Sequence, residues 1–111
     1  MVERLDATFA ALSDPTRRAM LASMAGGERS IGELAAPHAM SFAGASKHVK
    51  ALERAGLVER RKAGRTQLCR LRTEPLQEAQ AWLRQWEQFW TIRLDTLEAL
   101  IAADPKTPKE R

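Results

Sequence analysis

Apolar residues recur at helical spacing over most of this chain and give way only once, between Val58 and Leu71, to two short strand-like runs. Val2, Leu5, Phe9 and Leu12 form a stripe that predicts a first helix over residues 2–12, ending near Ser13. Asp14-Pro15 then offers a cap oxygen followed by a proline at the first helical position, where its missing N–H costs nothing. A second helix is expected from Pro15 to Ala25, stopped by Gly26-Gly27. Ser30-Ile31-Gly32-Glu33 is a capping box that opens a short third helix carrying Ile31 and Leu34. Pro37 disfavours helical geometry at Ala36 and ends it, leaving a tight connection through His38 to Met40. Two helices joined this closely read as helix-turn-helix.

The fourth helix takes Ser41 as its cap and ends at Gly56, which can adopt the left-handed conformation needed after a helix C-terminus. At about 100° per residue, Ala45, Val49 and Leu52 share a core-facing side. The opposite side collects Ala43, Lys47, Lys50 and Arg54, flanked by Gly44, Ser46 and Ala51. His48 lies between the two faces, so packing and DNA contact both stay open for it. Val58–Lys62 and Thr66–Leu71 are expected as strands separated by Ala63-Gly64-Arg65, with the glycine supplying the turn dihedral. Cys69 shares a strand face with Leu71, the expected inward one, which predicts a buried structural thiol.

Pro75 to Ala103 is the longest predicted element. Leu76, Ala79, Trp82, Leu83, Trp86, Phe89, Trp90, Leu94, Leu97 and Ile101 make a nearly continuous stripe along it, including all three tryptophans. Four short helices and a hairpin offer too little surface to cover so many aromatics, so this helix is expected to pair with its counterpart in a second chain. Ordinary core packing and a small-molecule pocket between two copies are the competing readings. The pattern as a whole is mainly α: a winged helix-turn-helix with a two-stranded β-hairpin wing and a long C-terminal dimerisation helix. One domain is expected over residues 1–103. The tail from 104 to 111, with two prolines and no apolar residue, is expected to be disordered.

Charge gives this pattern a function. From Ser41 to Arg72 nine Lys/Arg stand against Glu53 and Glu59, a local charge of +7 in a chain whose total is +4. Such a basic block on an otherwise mildly acidic protein is the footprint of phosphate binding. The last helix carries five carboxylates against Arg84 and Arg93, which suits a face turned away from DNA. Small residues at the start of the fourth helix let its backbone approach a groove, while the cations behind them reach phosphates.

Composition narrows the alternatives. The 111 residues, 44% hydrophobic, suffice for one modest core. No signal pattern or membrane-crossing apolar run is present, so the expectation is a soluble, cytoplasmic protein with no membrane partner. One cysteine and two histidines give too few soft ligands for a thiolate-rich metal site. No catalytic grouping and no phosphate-cradling glycine loop stand out, so neither an enzyme nor a cofactor is expected.

LSDPTRRAML (12–21), IGELAAP (31–37), SFAGASKHVKALERAGLVERRKAGR (41–65) and the tryptophan helix together resemble the ArsR-type winged-helix transcriptional repressors, over about residues 5 to 100. The resemblance implies a homodimer held by the first and last helices, placing Leu5, Phe9, Trp82, Trp86, Phe89, Trp90, Leu94, Leu97 and Ile101 in the interface. It implies two recognition helices presented to an inverted-repeat operator in double-stranded DNA. Base selection then falls to Ser41, Phe42, Gly44, Ser46 and His48, and affinity mainly to Lys47, Lys50, Arg54, Lys62 and Arg65. Family members that sense metals do so through paired cysteines in the third helix or His and carboxylate ligands in the last. The third helix here has no cysteine and the last no histidine, so the chain looks like the metal-independent branch. What relieves repression stays open among a protein partner, an apolar ligand, oxidation of Cys69 and protein concentration. The rival functions are a protein-interaction module using the last helix and a nonspecific architectural nucleic-acid binder.

Overall fold

The computed structural model describes residues 2–103, with side chains over residues 4–103. Its elements are α1 (Val2–Leu12), α2 (Pro15–Met24), β1 (Arg29–Ser30), α3 (Ile31–Ala35), a 3-10 turn (Ala36–His38), α4 (Phe42–Arg54), β2 (Val58–Ala63), β3 (Thr66–Leu71) and α5 (Glu74–Ala103). The architecture is the mainly helical winged helix-turn-helix with its hairpin and long last helix. Two compact units divide the chain at Ala79 and Gln80. The expected tail at 104–111 lies outside the described residues.

Local chemistry explains the helix ends. Asp14 Oδ1 accepts from the backbone N–H groups of Thr16 (2.8 Å) and Arg17 (3.1 Å), capping α2 beside Pro15. Ser30 and Glu33 close the reciprocal capping box at α3, at 3.1 and 2.8 Å. Ser41 Oγ accepts from the Gly44 N–H at 3.0 Å and starts α4. At the other end of α4, Gly56 takes φ +78°. Its N–H donates to the Glu53 carbonyl, and the Leu57 N–H donates to the Leu52 carbonyl at 2.9 Å. That is a Schellman stop, with Leu57 and Leu52 forming its buried apolar contact.

The first unit has one core. Met20, Leu21 and Met24 of α2, Ile31 and Leu34 of α3, and Ala45, Val49 and Leu52 of α4 meet Leu57, Val58 and Cys69 there. The angular reading of α4 therefore holds: its predicted core side is fully buried, and Ala43, Lys47, Lys50 and Arg54 are exposed. On α1 the buried positions are Thr8 and Ala11, with the Thr8 hydroxyl donating to the Arg4 carbonyl. Leu5 is half-buried and Phe9 exposed.

Three details depart from expectation. The hairpin loop is shorter than Ala63-Gly64-Arg65, because Ala63 pairs with Thr66 and only Gly64 and Arg65 connect the strands. Gly64 has φ +65°, and positive φ at the first connecting residue alone is the pattern of a type II′ turn, which suits strand twist. A third strand, β1, pairs with β3 through Arg29–Cys69 and Ser30–Leu68, giving the order β1-β3-β2. Helix α3 does end before Pro37, at Ala35, but Ala36 keeps helical dihedrals (φ −54°, ψ −44°) and the chain runs on in a 3-10 turn closed by Ala39 in the left-handed region at φ +51°.

Candidate nucleic-acid interface

Strand alternation decides which way the wing's cations point. The register Val58–Leu71, Arg60–Cys69 and Lys62–Gln67 puts these six on one face, and Glu59, Arg61, Ala63, Thr66, Leu68 and Arg70 on the other. The first face looks toward α4, since Arg60 reaches Glu53 of that helix at 3.2 Å and Gln67 Oε1 at 3.0 Å. Phe42 and Ser46 of α4 then line one cleft of about 470 Å³ with Arg60, Arg65, Thr66 and Gln67 of the wing and Ser30, Ile31 and Gly32 at the start of α3. The expected site residues Phe42, Ser46 and Arg65 come together here. Arg60, Thr66 and Gln67 were not among the expected site residues.

The nine cations of the basic block are not equivalent. Arg61 makes a two-pronged contact with Glu28, at 2.7 and 2.8 Å, on the far face of the wing. Arg70 holds Glu59 across the strands, Arg72 lies near Glu59 and Glu74, and Arg60 holds Glu53. The hydrogen bond from Arg61 holds the Glu28 carboxyl below its usual range, and that from Arg70 does the same for Glu59. Among the described residues, Lys47, Lys50, Arg54, Lys62 and Arg65 have no carboxylate partner. These five are the ones the sequence assigned to affinity.

Not all expected residues join the cleft. Lys47 and Lys50 are exposed on the outward side of α4, and Gly44 lies half-buried in its first turn. Arg54 sits at the opposite end of α4, on the rim of a shallow alanine-lined dimple against α1 that also includes Arg17. His48 is half-buried, with Nδ1 3.5 Å from Arg17 Nη1. Cys69 is fully buried on the side of β3 that faces α4, and that burial pushes its thiol up and away from thiolate character. In the second unit, Trp86, Phe89, Trp90, Leu94, Leu97 and Ile101 are between 44% and 60% exposed, and Trp82 meets Trp86 edge-on at 6.0 Å. Among the described residues no helix is long and apolar enough to cross a membrane.

A helix-turn-helix domain model matches residues 12–61, the stretch from the α1 terminus to the middle of β2. The HTH-type transcriptional regulator Rv2034 of Mycobacterium tuberculosis is 34% identical over 99 residues, spanning 89% of this chain and 90% of the relative. The crystal structure of an ArsR family transcriptional regulator superposes with a TM-score of 0.76 at 36% identity, over 82% of this chain and 94% of that one. This chain belongs to the ArsR-type winged-helix transcriptional regulators. As an ArsR-type regulator it carries a helix-turn-helix DNA-binding domain, in which α3 and α4 are the paired helices and β2–β3 the wing. Another similar structure is the homodimeric winged helix-turn-helix DNA-binding domain of a possible ArsR-family regulator from Mycobacterium bovis. It is 28% identical, with a TM-score of 0.64 over 78% of this chain and 81% of that one.

Proposed function

We propose that this ArsR-type regulator is a homodimeric repressor that occludes promoters by binding an inverted-repeat operator. The observation that carries the reading is the sorting of charge. Arginines on the back and base of the wing are engaged by carboxylates, while Lys47, Lys50, Lys62 and Arg65 keep their charge free around the wing and the exposed side of α4. In this arrangement α4 enters a major groove, Ser41, Phe42, Gly44 and Ser46 meet base edges, and the wing grips a flanking phosphate. The exposed tryptophan stripe of α5 supports dimerisation, as does the homodimeric Mycobacterium bovis domain. A symmetric dimer places half-site centres about 34 to 36 Å apart, one helical turn, or a multiple of it.

Release of repression is proposed to be independent of transition metals, because α3 lacks thiolates and α5 lacks imidazoles, the donors such metals prefer. The test is selection of bound duplexes from a random pool at physiological salt. An enriched inverted repeat bound by one dimer supports the reading. Sequence-blind binding by a folded dimer overturns it in favour of an architectural role.

A further inference from the structure

The first turn of α4 carries an aromatic side chain that the fold does not use. Phe42 stands three residues before Ala45 and seven before Val49, the spacing of the buried side of the helix, where a phenyl ordinarily packs. Met40, two residues earlier, packs against the core instead, and Phe42 is left 64% exposed. Among the described residues of the first unit the one other exposed large apolar side chain is Phe9, at 38%. The Ser41 cap fixes the turn that bears Phe42, and Ser46, one turn on, joins it in lining the cleft shared with the wing. The wing side of that cleft is polar, made by Arg65, Thr66 and Gln67. Gln67 is held by Arg60 at 3.0 Å and Arg60 by Glu53 at 3.2 Å, which ties this wall back to α4.

We propose that Phe42 is a specificity-determining residue that reads the 5-methyl group of one thymine in each half-site of the operator. The inference rests on the DNA-binding reading above and deepens it by naming the base. Residues at the N-terminal end of a recognition helix are the ones that reach base edges. In the major groove guanine, adenine and cytosine present polar atoms there, whereas thymine adds a methyl, the one apolar group on any edge. A phenyl neither donates nor accepts a conventional hydrogen bond. Against the other three bases it strips water from polar atoms and returns nothing, which is unfavourable. Against the methyl it removes apolar surface from water on both partners. The polar wing wall, with Arg65 exposed at the turn, suits an adjoining phosphate and not an apolar molecule filling the cleft.

Uracil lacks that methyl and keeps the O4 acceptor and the pairing of thymine, so it isolates the contact. The inverted-repeat duplex enriched by the full chain is remade with uracil at each thymine in turn, in both half-sites together, and titrated with the protein. One symmetry-related position is expected to stand out. Affinity there should fall about fourfold per half-site, the effect of one methyl no longer buried, and about fifteenfold for the dimer. Phe42→Ala should bind the thymine duplex more weakly and show no uracil penalty at that position, because ring and methyl act through each other. An effect of the methyl on the shape of the DNA itself would survive in Phe42→Ala, so loss of the penalty is the mark of direct contact. The side chain is exposed, and the urea midpoint of the variant is expected to match the wild type.

A second selection, with Phe42→Gln, approaches the same base pair from the protein side. Its amide pairs with the N6 and N7 edge of adenine, so the enriched repeat should lose thymine at that position and keep its other fixed bases. An enriched repeat with no fixed thymine in its half-sites, a uracil scan flat to within about twofold, or a penalty that persists in Phe42→Ala would each overturn the proposal. So would recovery of the unchanged thymine by Phe42→Gln. Failure of the wild type to enrich any duplex at all, by contrast, strikes the DNA-binding reading itself, and the assignment of Phe42 falls with it.

Discussion

Lys62 and Arg61 are adjacent in sequence and equal in charge, yet the wing turns them to opposite faces, and they are expected to respond differently to substitution. Each phosphate neutralised on duplex DNA contributes about 0.9 to the slope of log affinity against log salt. Five unpaired cations per protomer, doubled by symmetry, set an upper slope of about −9 for the dimer. Lys62→Gln removes two contacts per dimer and should make that slope shallower by about 1.8. Over the fourfold rise from 50 to 200 mM salt, the binding defect of the variant should therefore shrink by roughly tenfold.

Arg61 is already engaged by Glu28 through two hydrogen bonds on the far face, so the double variant Arg61→Gln with Glu28→Gln removes a self-compensated pair. Its slope should equal that of the wild type. Fluorescence anisotropy on a selected duplex at four or five salt concentrations resolves a change of this size. A Lys62→Gln slope indistinguishable from wild type, or an equal loss in the double variant, would refute the assignment of free and spent cations.

Three further outcomes follow from the same structure. Ala39→Gly relieves a left-handed alanine in the turn before α4, which costs about 1–2 kcal/mol, against a smaller entropic cost of glycine in the unfolded chain. A higher urea midpoint, worth up to about 1 kcal/mol, is expected, and a lower one would count against strain at this turn. Leu97→Glu places a charge in the exposed stripe of α5 and should yield a monomer in sedimentation that has also lost duplex binding; a dimer that still binds places the interface elsewhere. Asp14, Glu28, Glu33 and Glu59 are all held below their ordinary values of 3.8 and 4.5, chiefly by the Arg17 N–H, Arg61, the Ser30 N–H and Arg70 respectively. Depressed carboxylates stabilise the fold fully above about pH 4.5, and that contribution is lost as pH falls through their lowered values, so the urea midpoint should drop steadily below pH 4.5 and not above it.

The parts of this molecule legible in its sequence are those fixed by neighbours along the chain. Asp14-Pro15, the Ser30/Glu33 box, the Ser41 cap and Gly56 act within a few residues, and each forms as its spacing implies. The faces of α4 are equally local, because helical geometry alone places Val49 inward and Lys50 outward. What could not be read depends on partners far along the chain. Glu28 is 33 residues from Arg61, and no spacing rule announces that it cancels that charge while Lys62 beside it stays free. Two residues of β1 are too few to display a period, and their pairing is set by β3. Nothing in the sequence around Ala39 signals a left-handed residue, since glycine or asparagine is the usual mark. His48 sat between two faces on the helical wheel, and only the fold shows Arg17 waiting beside it.

In the proposed dimer, two copies of the α4-and-wing face read one inverted repeat. Phosphate ethylation interference on a selected duplex tests it most directly, because it records which phosphates the bound protein needs. A symmetric dimer should leave two dyad-related clusters of sensitive phosphates centred about 34 to 36 Å apart, or a multiple of it. Lys47→Ala and Lys62→Gln should each erase symmetry-related positions from both clusters. A single cluster, or interference spread evenly along the duplex and unchanged in those variants, would contradict it.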